Sequence, residues 1–558
     1  EIRRKGENPI FAPTPPLESL RTILSMAATP DLWMSKAELA ISEGEDRVQI
    51  SVIDISRAYF NAKPKDAHPV YVELPPEDPD YGKGLCGKLN VFMYGTRAAA
   101  DGWHCEYSDT MEEIGFAMGQ SSACVFAHGE RKIVSSVHGD DFTTVGTKRD
   151  LDWFKAQLAI KYELKETRIG PGAKDEKEVK ILNRIIRWTT DGLEYEADPR
   201  HAEKLLQELG LEGCRPVGTP GVKPSPEAIS SDEPLEISKM THFRALAARG
   251  NYLAADRPDI QFSAKEICRF MAAPTKLSVE ALKRLGRFLA KRPRLVYIYK
   301  LQKNIQHVDV YVDTDHAGCL RTRKSTSGGC VMLGSHTLKT WSSTQPTITL
   351  SSGEAELGGV VRGSAVGLGF LSLLSDLQVK LRLRIWTDST ASRGICQRQG
   401  LGKVRHLDVQ ELWVQQRVRN GDFDLFKILG DENPGDLFTK HGLTQERIVY
   451  LLDLLYCHYR DGRASSAPSL RTEGGTATFS LRKSQRKGLA PISGKQRKWK
   501  EHDEDEHRVV MNTNEVQALV QSCGLPHLSP EAIRDSMAVK QPYPETEEPE
   551  DAMHKEGL

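Results

Sequence analysis

Val48-Gln49-Ile50-Ser51-Val52-Ile53-Asp54-Ile55 alternates apolar and polar side chains, the pattern of a half-buried strand. Asp54 falls in line with Val48, Ile50 and Val52 on one face. An ionised carboxylate on an apolar face is costly unless it is solvated, paired or bound to a metal. Downstream, Lys132–Thr144 reads as two short strands around a Gly139-Asp140 turn. That turn brings Asp140 and Asp141 to a hairpin tip. Each acid alone has an ordinary reading, Asp54 as a solvated strand end and Asp140-Asp141 as turn chemistry. Together, three carboxylates on adjacent strands can hold two divalent cations, as phosphoryl transfer requires. Mg2+ needs few protein oxygens because it keeps several waters.

Around this stretch, Leu17–Ala28 and residues 200–210 have helical periodicity, and Leu74–Tyr81 is a Pro- and Asp-rich loop. Pro216–Asp232 reads as a linker, and a helical region follows over about 239–293. The 558 residues suffice for three or four domains, and 39% hydrophobic with 27% charged residues can bury cores. Lys plus Arg and Asp plus Glu are each 76, so net charge gives no sign of nucleic acid and only local patches can. Ten cysteines without a Cys-x-x-Cys pair argue against zinc knuckles, redox motifs and a secreted disulfide scaffold. No signal peptide or bilayer-spanning apolar run is read, so the expectation is an intracellular protein without a membrane partner. The start at Glu1 without Met reads as a fragment or processed product.

A second set of acids lies further on. Val308-Asp309-Val310-Tyr311-Val312-Asp313 alternates as a strand with Asp313 at its end. Two more strands, helix, strand, helix, strand and short helix follow, to near residue 442. Ser351-Ser352-Gly353-Glu354 has capping-box spacing, which places Glu356 in a helix's first turns. Leu381, Leu383 and Ile385 alternate with Arg382 and Arg384 and lead to Asp388. Asn433-Pro434 reads as an N-cap with Pro at N1, so Asp436 lies in the first turn of a short helix. Singly, Glu356 could be a solvated helix residue, Asp388 a cap and Asp436 a partner of the helix dipole. Asp309 and Asp315 read as exposed neighbours. Four acids at element ends in a mixed α/β pattern are harder to dismiss.

Several ordered blocks carry a resemblance. Val52-Ile53-Asp54-Ile55-Ser56-Arg57-Ala58-Tyr59-Phe60-Asn61, Val70–Pro75, Leu89–Trp103 and Val137-His138-Gly139-Asp140-Asp141 resemble, in order, motifs of Ty1/copia-type reverse transcriptases. Gly218-Thr219-Pro220 and Arg257-Pro258-Asp259-Ile260 resemble later landmarks of that family. The likeness covers roughly residues 8–295. Tyr311–Gly318, Arg323–Gly328, Leu350–Glu356 and His406-Leu407-Asp408-Val409 resemble its ribonuclease H, over about 306–442. The chain is therefore similar to a fragment of a Ty1/copia-type retrotransposon Pol polyprotein. The resemblance implies that Asp54, Asp140 and Asp141 hold the polymerase metals. It makes Tyr59 the steric gate against a ribose 2′-hydroxyl and lines the nucleotide site with Gly95 and Arg97. It implies that Asp313, Glu356, Asp388 and Asp436 hold two Mg2+ (or Mn2+) for RNA cleavage. His406 either assists as a nucleic-acid contact or is an ordinary helix-start histidine. His138-Gly139 stands where the family has Tyr-Val, and the family's basic fingers segment would precede this chain.

The expected architecture is α+β and α/β multidomain. Residues 1–222 would be reverse transcriptase, with fingers truncated, a ferredoxin-like palm sheet with helices and the start of the thumb. Residues 223–305 would form a connection or thumb-like helical region. Residues 306–442 would form a ribonuclease H-like mixed five-stranded sheet. Residues 443–558 would be a helix and then a largely disordered tail. Lys283, Arg284 and Arg287, with Arg323 and Lys324, are placed to follow a phosphate backbone, although such a run also suits a solvated helix face. Lys291, Arg292 and Arg294 extend the run. The basic tail around Trp499 could be a nucleic-acid arm, a nuclear localisation signal or a linker. Expected partners are RNA template, DNA primer, RNA–DNA hybrid and deoxynucleoside triphosphates, in a cytoplasmic particle or the nucleus. Two rivals stand beside this reading: a catalytically inactive remnant that only binds nucleic acid, and a nuclease using residues 306–442 alone.

Overall fold

The strand Val48–Ile55 forms as its alternation predicts. In the computed structural model, which describes residues 12–42, 46–64, 70–402 and 412–470, it sits inside a six-stranded sheet. It pairs antiparallel with Asp141–Thr147 on one side and Leu164–Ile169 on the other. Ile133–His138, Val125–His128 and Ala117–Met118 continue the sheet beyond Asp141–Thr147. The central elements follow one another as strand, helix, two strands, helix and strand, the split β-α-β arrangement. The helices Ala99–Glu113 and Lys148–Lys161 cover one face, where Trp103, Tyr107, Phe154 and Leu158 pack on Ile53, Ile55 and Phe142. On the other side lies the helix Leu17–Ala27, whose residues from Ser19 onward are all buried. It touches both the strand Asp141–Thr147 and the distant strand His336–Thr344.

A second sheet was not foreseen. Its order is Cys457–Arg460, Arg294–Lys300, Gly192–Glu196, Arg184–Trp188 and Glu178–Ile181, all antiparallel. It draws strands from the expected polymerase, connection and tail segments, so it cuts across the boundaries placed at 222, 305 and 442. The reason is physical. Alternation in Leu295, Tyr297 and Tyr299 marks a strand, but short-range pattern does not say which strand will pair with it. The helices Ile237–Ala254, Pro258–Cys268 and Lys276–Lys291 fill most of the region read as helical. With the helix Arg200–Glu208 they enclose Leu205, Phe243, Leu246, Ile260, Leu285 and Phe288 as one core. The expected disordered tail lies outside the described residues from 471 on; before it come the helix Gln445–Leu454, the strand Cys457–Arg460 and a stretch whose Ala464 and Ala467 are buried against Ile185.

The third sheet is mixed and five-stranded, as expected, with order His336–Thr344, Thr326–Leu333, His307–Asp315, Arg382–Thr387, Asp424–Lys427. The first two pairings are antiparallel and the last two parallel. The helix Ser352–Asp376 crosses one face. It is long and apolar enough to cross a membrane by length and composition, which corrects the expectation of no such run. Packing on the sheet accounts for that apolarity. Gly359, Gly363 and Gly367 recur every four residues on the sheet-facing stripe, so helix and sheet approach closely. A methyl added at Gly363 would run into Val312, and one at Gly367 would lie 2.7 Å from Leu383 Cδ1. Overpacking a filled core costs about 1–3 kcal/mol. Gly363→Ala is therefore expected to destabilise the chain by that amount in urea unfolding. An unchanged midpoint would show that the helix can move away from the sheet freely.

Candidate active sites

Strand and helix ends bring the later acids together. Asp313 lies near the end of the central strand His307–Asp315 and is 1% exposed. The parallel neighbour Arg382–Thr387 ends beside it and delivers Asp388. Ser351 caps the long helix by accepting from the Glu354 N–H, and Glu356 follows within its first turns. The reciprocal half of the capping box is displaced: the Glu354 carboxylate accepts from the Leu350 N–H at 2.8 Å instead. Asn433 caps the short helix Pro434–Phe438 by accepting from the Gly435 N–H, and its Nδ2 donates to the Val312 carbonyl at 2.9 Å. That second bond ties Asp436's turn to Asp313's strand.

Asp313, Glu356 and Asp388 each place a carboxylate oxygen within 4.8 Å of the others. Among the described residues no other acid, histidine or cysteine group gathers so tightly. Asp436 adjoins them but is held by cations, with Arg447 Nη2 at 2.9 Å and Lys440 Nζ at 3.7 Å. Burial, then Asp313 and Asp388, pushes the Glu356 carboxyl up to about 9. Burial and Asp313 likewise raise Asp388 and Asp436. Glu356 Oε2 is buried and has no hydrogen-bond partner. An orphaned carboxylate oxygen among three more acids fits a hard divalent cation with oxygen ligands. Asp309 and Asp315 are not the exposed neighbours expected. Asp309 is buried and takes Arg384 in two bonds of 2.7 and 2.8 Å, with Trp386 Nε1 donating as well. Asp315 is half-buried beside the cluster.

The raised Glu356 carboxyl has a pH consequence. Its folded value, about 9, lies above the ordinary value of 4.5. The stability that this proton contributes is complete below about pH 4.5 and is lost as pH rises through about 9. Without metal, Glu356→Gln should match wild type in thermal melts near pH 5 and become progressively more stable than it toward pH 9. A constant difference across that range would contradict the burial of this carboxyl.

The earlier acids gather more loosely. Asp54 stands directly opposite Asp141 in the strand register, and the Ile55 N–H donates to the Asp140 carbonyl at 3.1 Å. Burial, then Asp140 and Asp54, pushes Asp141 up to about 6, and burial and Asp54 raise Asp140. The three do not close to the spacing of the later group. Gly139 takes φ +65° at the hairpin tip, a conformation that favours glycine. The tip is also pinned, since Trp103 Nε1 donates to the Gly139 carbonyl at 2.8 Å. The Tyr59 ring lies 4.4 Å from the Tyr94 ring, and Asp140 acts on both phenols. Gly95 is exposed at φ +89°, and Arg97 is half-buried two residues on.

The basic residues divide. Lys283, Arg284 and Arg287 line a cavity of about 630 Å³ between the helical region and the third sheet. Each also has a protein contact: Lys283 with Glu280, Arg284 with Thr219 and Arg287 with the Arg215 carbonyl. Arg323 and Lys324 lie in the loop beyond the cavity wall. Lys291 donates to Gln445, Arg292 stacks on Tyr459 and Arg294 pairs with Glu196. Those three tie the helix end to its surroundings. His406 lies outside the described residues.

Residues 10–223 match the family model described as reverse transcriptase (RNA-dependent DNA polymerase). The Pol polyprotein from transposon RE1 of Arabidopsis thaliana is 26% identical over 399 residues, covering 70% of this chain and 26% of that protein. The Pol polyprotein from transposon TNT 1-94 of Nicotiana tabacum is 24% identical over 446 residues, covering 77% and 31%. An uncharacterised mitochondrial protein of Arabidopsis thaliana is 32% identical over 177 residues, covering 32% of this chain and 71% of its own length. The chain belongs to the copia-type retrotransposon Pol family. It spans about a quarter to a third of the length of the Pol polyproteins it matches. Among solved structures, the foamy viral protease-reverse transcriptase in complex with dsDNA aligns with TM-score 0.41 and 13% identity over 68% of each chain.

In this Pol chain, several site residues escaped the sequence reading. Lys440 Nζ lies 3.1 Å from Asp313 Oδ2, and the Thr439 hydroxyl donates to the same carboxylate. Arg447 buttresses Asp436, and Tyr94 stands against Tyr59. The only forewarning was spacing: Lys440 follows Asp436 by four residues, an ion-pairing interval on a helix.

Proposed function

We propose that this Pol chain is an RNA-directed DNA polymerase and a ribonuclease acting on RNA–DNA hybrids, with two-cation phosphoryl-transfer chemistry at both sites. Membership of the reverse transcriptase family supports the first activity. The observation that carries the second is the approach of Asp313, Glu356 and Asp388 within 4.8 Å, with a buried, unpartnered oxygen on Glu356.

Asp313, Glu356, Asp388 and Asp436 would hold two Mg2+ or Mn2+, which supply an activated hydroxide and stabilise the departing 3′-oxygen. The chain's own part is to hold those carboxylates in place. Thr439 fixes one oxygen of Asp313, and Arg447 orients Asp436. The buried setting strengthens each electrostatic contact with the scissile phosphate. Asp54, Asp140 and Asp141 would play the matching part for primer extension. There Tyr59 walls off the sugar 2′ position, and Gly95 and Arg97 border the nucleotide. Lys283, Arg284, Arg287, Arg323 and Lys324 would hold the backbone of template, primer or hybrid, which makes binding salt-dependent.

The test supplies the purified chain with Mg2+ and either a labelled RNA–DNA hybrid or a primed RNA template with deoxynucleoside triphosphates. RNA-strand cleavage and primer extension support the two assignments separately. Binding with neither reaction supports an inactive remnant. The looser set of Asp54, Asp140 and Asp141 favours that second reading for the polymerase half.

A further inference from the structure

Lys440 has two environments, and the acid cluster is one of them. Its ammonium lies 3.1 Å from Asp313 Oδ2, 3.3 Å from Asp313 Oδ1 and 3.7 Å from Asp436 Oδ1. Its charge also acts on Glu356 and Asp388. It therefore stands as a fixed positive charge at the edge of the group that would take divalent cations. The other environment is the cavity of about 630 Å³, which Lys440 helps to line. Lys223, Arg269, Lys283, Arg284, Arg287 and Arg321 line the same cavity. Its acids are fewer and engaged: Asp259 is locked to Arg257, Glu266 pairs with Lys265 and Arg269, and Glu280 pairs with Lys283. The excess of cations suits a chain of phosphates. Lys440 is half-exposed, and its four-carbon stem lets the ammonium change partners.

We propose that Lys440 is an internal counter-cation that couples nucleic-acid binding in this cavity to metal loading at Asp313, Glu356, Asp388 and Asp436. In the free chain Lys440 neutralises Asp313 and Asp436 and repels an incoming divalent cation. A backbone phosphate in the cavity draws the ammonium away and leaves the acids to the metal. By linkage, nucleic acid tightens metal and metal tightens nucleic acid by the same factor. Lys440 is thus a positioning residue for the nuclease, and its role rests on the reading of the acid cluster given above.

The experiment is calorimetric titration of the full chain with Mn2+, alone and with a 2′-O-methyl RNA–DNA hybrid that resists cleavage. Without nucleic acid, Lys440→Met should bind Mn2+ about tenfold more tightly than wild type, one ordinary step of charge–charge coupling. The hybrid should tighten Mn2+ binding to wild type by a similar factor and leave Lys440→Met almost unchanged. Lys440→Arg, which keeps the charge, should behave as wild type. Lys440→Gln carries the same comparison if Lys440→Met fails to fold. Equal or weaker Mn2+ binding in Lys440→Met, or equal tightening by the hybrid in both proteins, overturns the coupling. Asp388→Asn separates the two levels. If it weakens Mn2+ binding while Lys440→Met does nothing, only the role of Lys440 falls. If Asp388→Asn leaves Mn2+ binding intact, or wild type takes up none even with the hybrid present, the cluster reading falls with it.

Discussion

Replacing Asp256 by alanine is expected to cost about 3–5 kcal/mol in urea unfolding, the usual penalty for stranding buried charge. Asp256 is the acid that two buried guanidiniums share. Arg21 Nη2 lies 3.0 Å from Oδ1 and Arg184 Nε 2.9 Å from Oδ2, and these side chains are 4% and 9% exposed. The Tyr195 hydroxyl donates to the same carboxylate, and the Arg21 guanidinium sits over the Tyr195 and Tyr297 rings. A surface pair gives the contrast. Lys83 and Asp80 are also 3.0 Å apart, but both are more than half exposed. Such pairs contribute about 0–1 kcal/mol, because water and salt screen them. Distance is equal, so burial decides the magnitude. Asp256 also lies at a junction. It joins the helix Leu17–Ala27, the strand Arg184–Trp188 and the turn before the helix Pro258–Cys268. Because Leu17–Ala27 touches the first and third sheets, the Asp256→Ala lesion should impair both proposed reactions together. A loss below about 1 kcal/mol would show that the two arginines find solvent or other acids.

Asp388→Asn is expected to lower hybrid cleavage by on the order of 10²–10³-fold or more, the scale seen when a major electrostatic stabiliser is removed. The same substitution should raise the stability of the metal-free chain. Burial and Asp313 already push the Asp388 carboxyl up, so its ionised form is unfavourable in the fold. Its folded value lies above the ordinary one, so stability from this group is present at low pH and is lost as pH rises. Asparagine removes that loss, and the gain over wild type should be greatest at alkaline pH in EDTA. Added Mg2+ should narrow or reverse the gap, because only the wild type retains all four acids. Loss of cleavage together with lower metal-free stability would indicate that Asp388 is a structural cap.

Local patterning reached far into this chain. The strand Val48–Ile55, the hairpin at Gly139-Asp140, the cap at Ser351 and the Asn433-Pro434 helix start all follow from short-range rules about alternation, turns and capping. Those elements carry five of the seven proposed metal-binding acids, and the alternating strands His307–Asp315 and Arg382–Thr387 deliver Asp313 and Asp388, which is why the acids were visible in sequence. Contacts between distant residues were not. The second sheet joins residues 178–196 to 294–300 and 457–460, and nothing in Arg294–Lys300 names its partners. The charged residues that were missed share this trait. Lys440 and Arg447 look like ordinary surface cations until folding sets them against Asp313 and Asp436. Asp309 was misjudged for the same reason, since Arg384, its partner, lies on a strand 75 residues away. The glycines of Ser352–Asp376 could be read as apolar composition, but their use as a contact stripe appears only with the sheet beneath them.

The most direct test of the central claim is crystallographic: anomalous diffraction from the chain soaked in Mn2+ at pH 8. A peak bounded by the carboxylates of Asp313, Glu356 and Asp388, with a second toward Asp436, is the expected result. Four acids without any manganese between them, in crystals that take up the ion elsewhere, would contradict it.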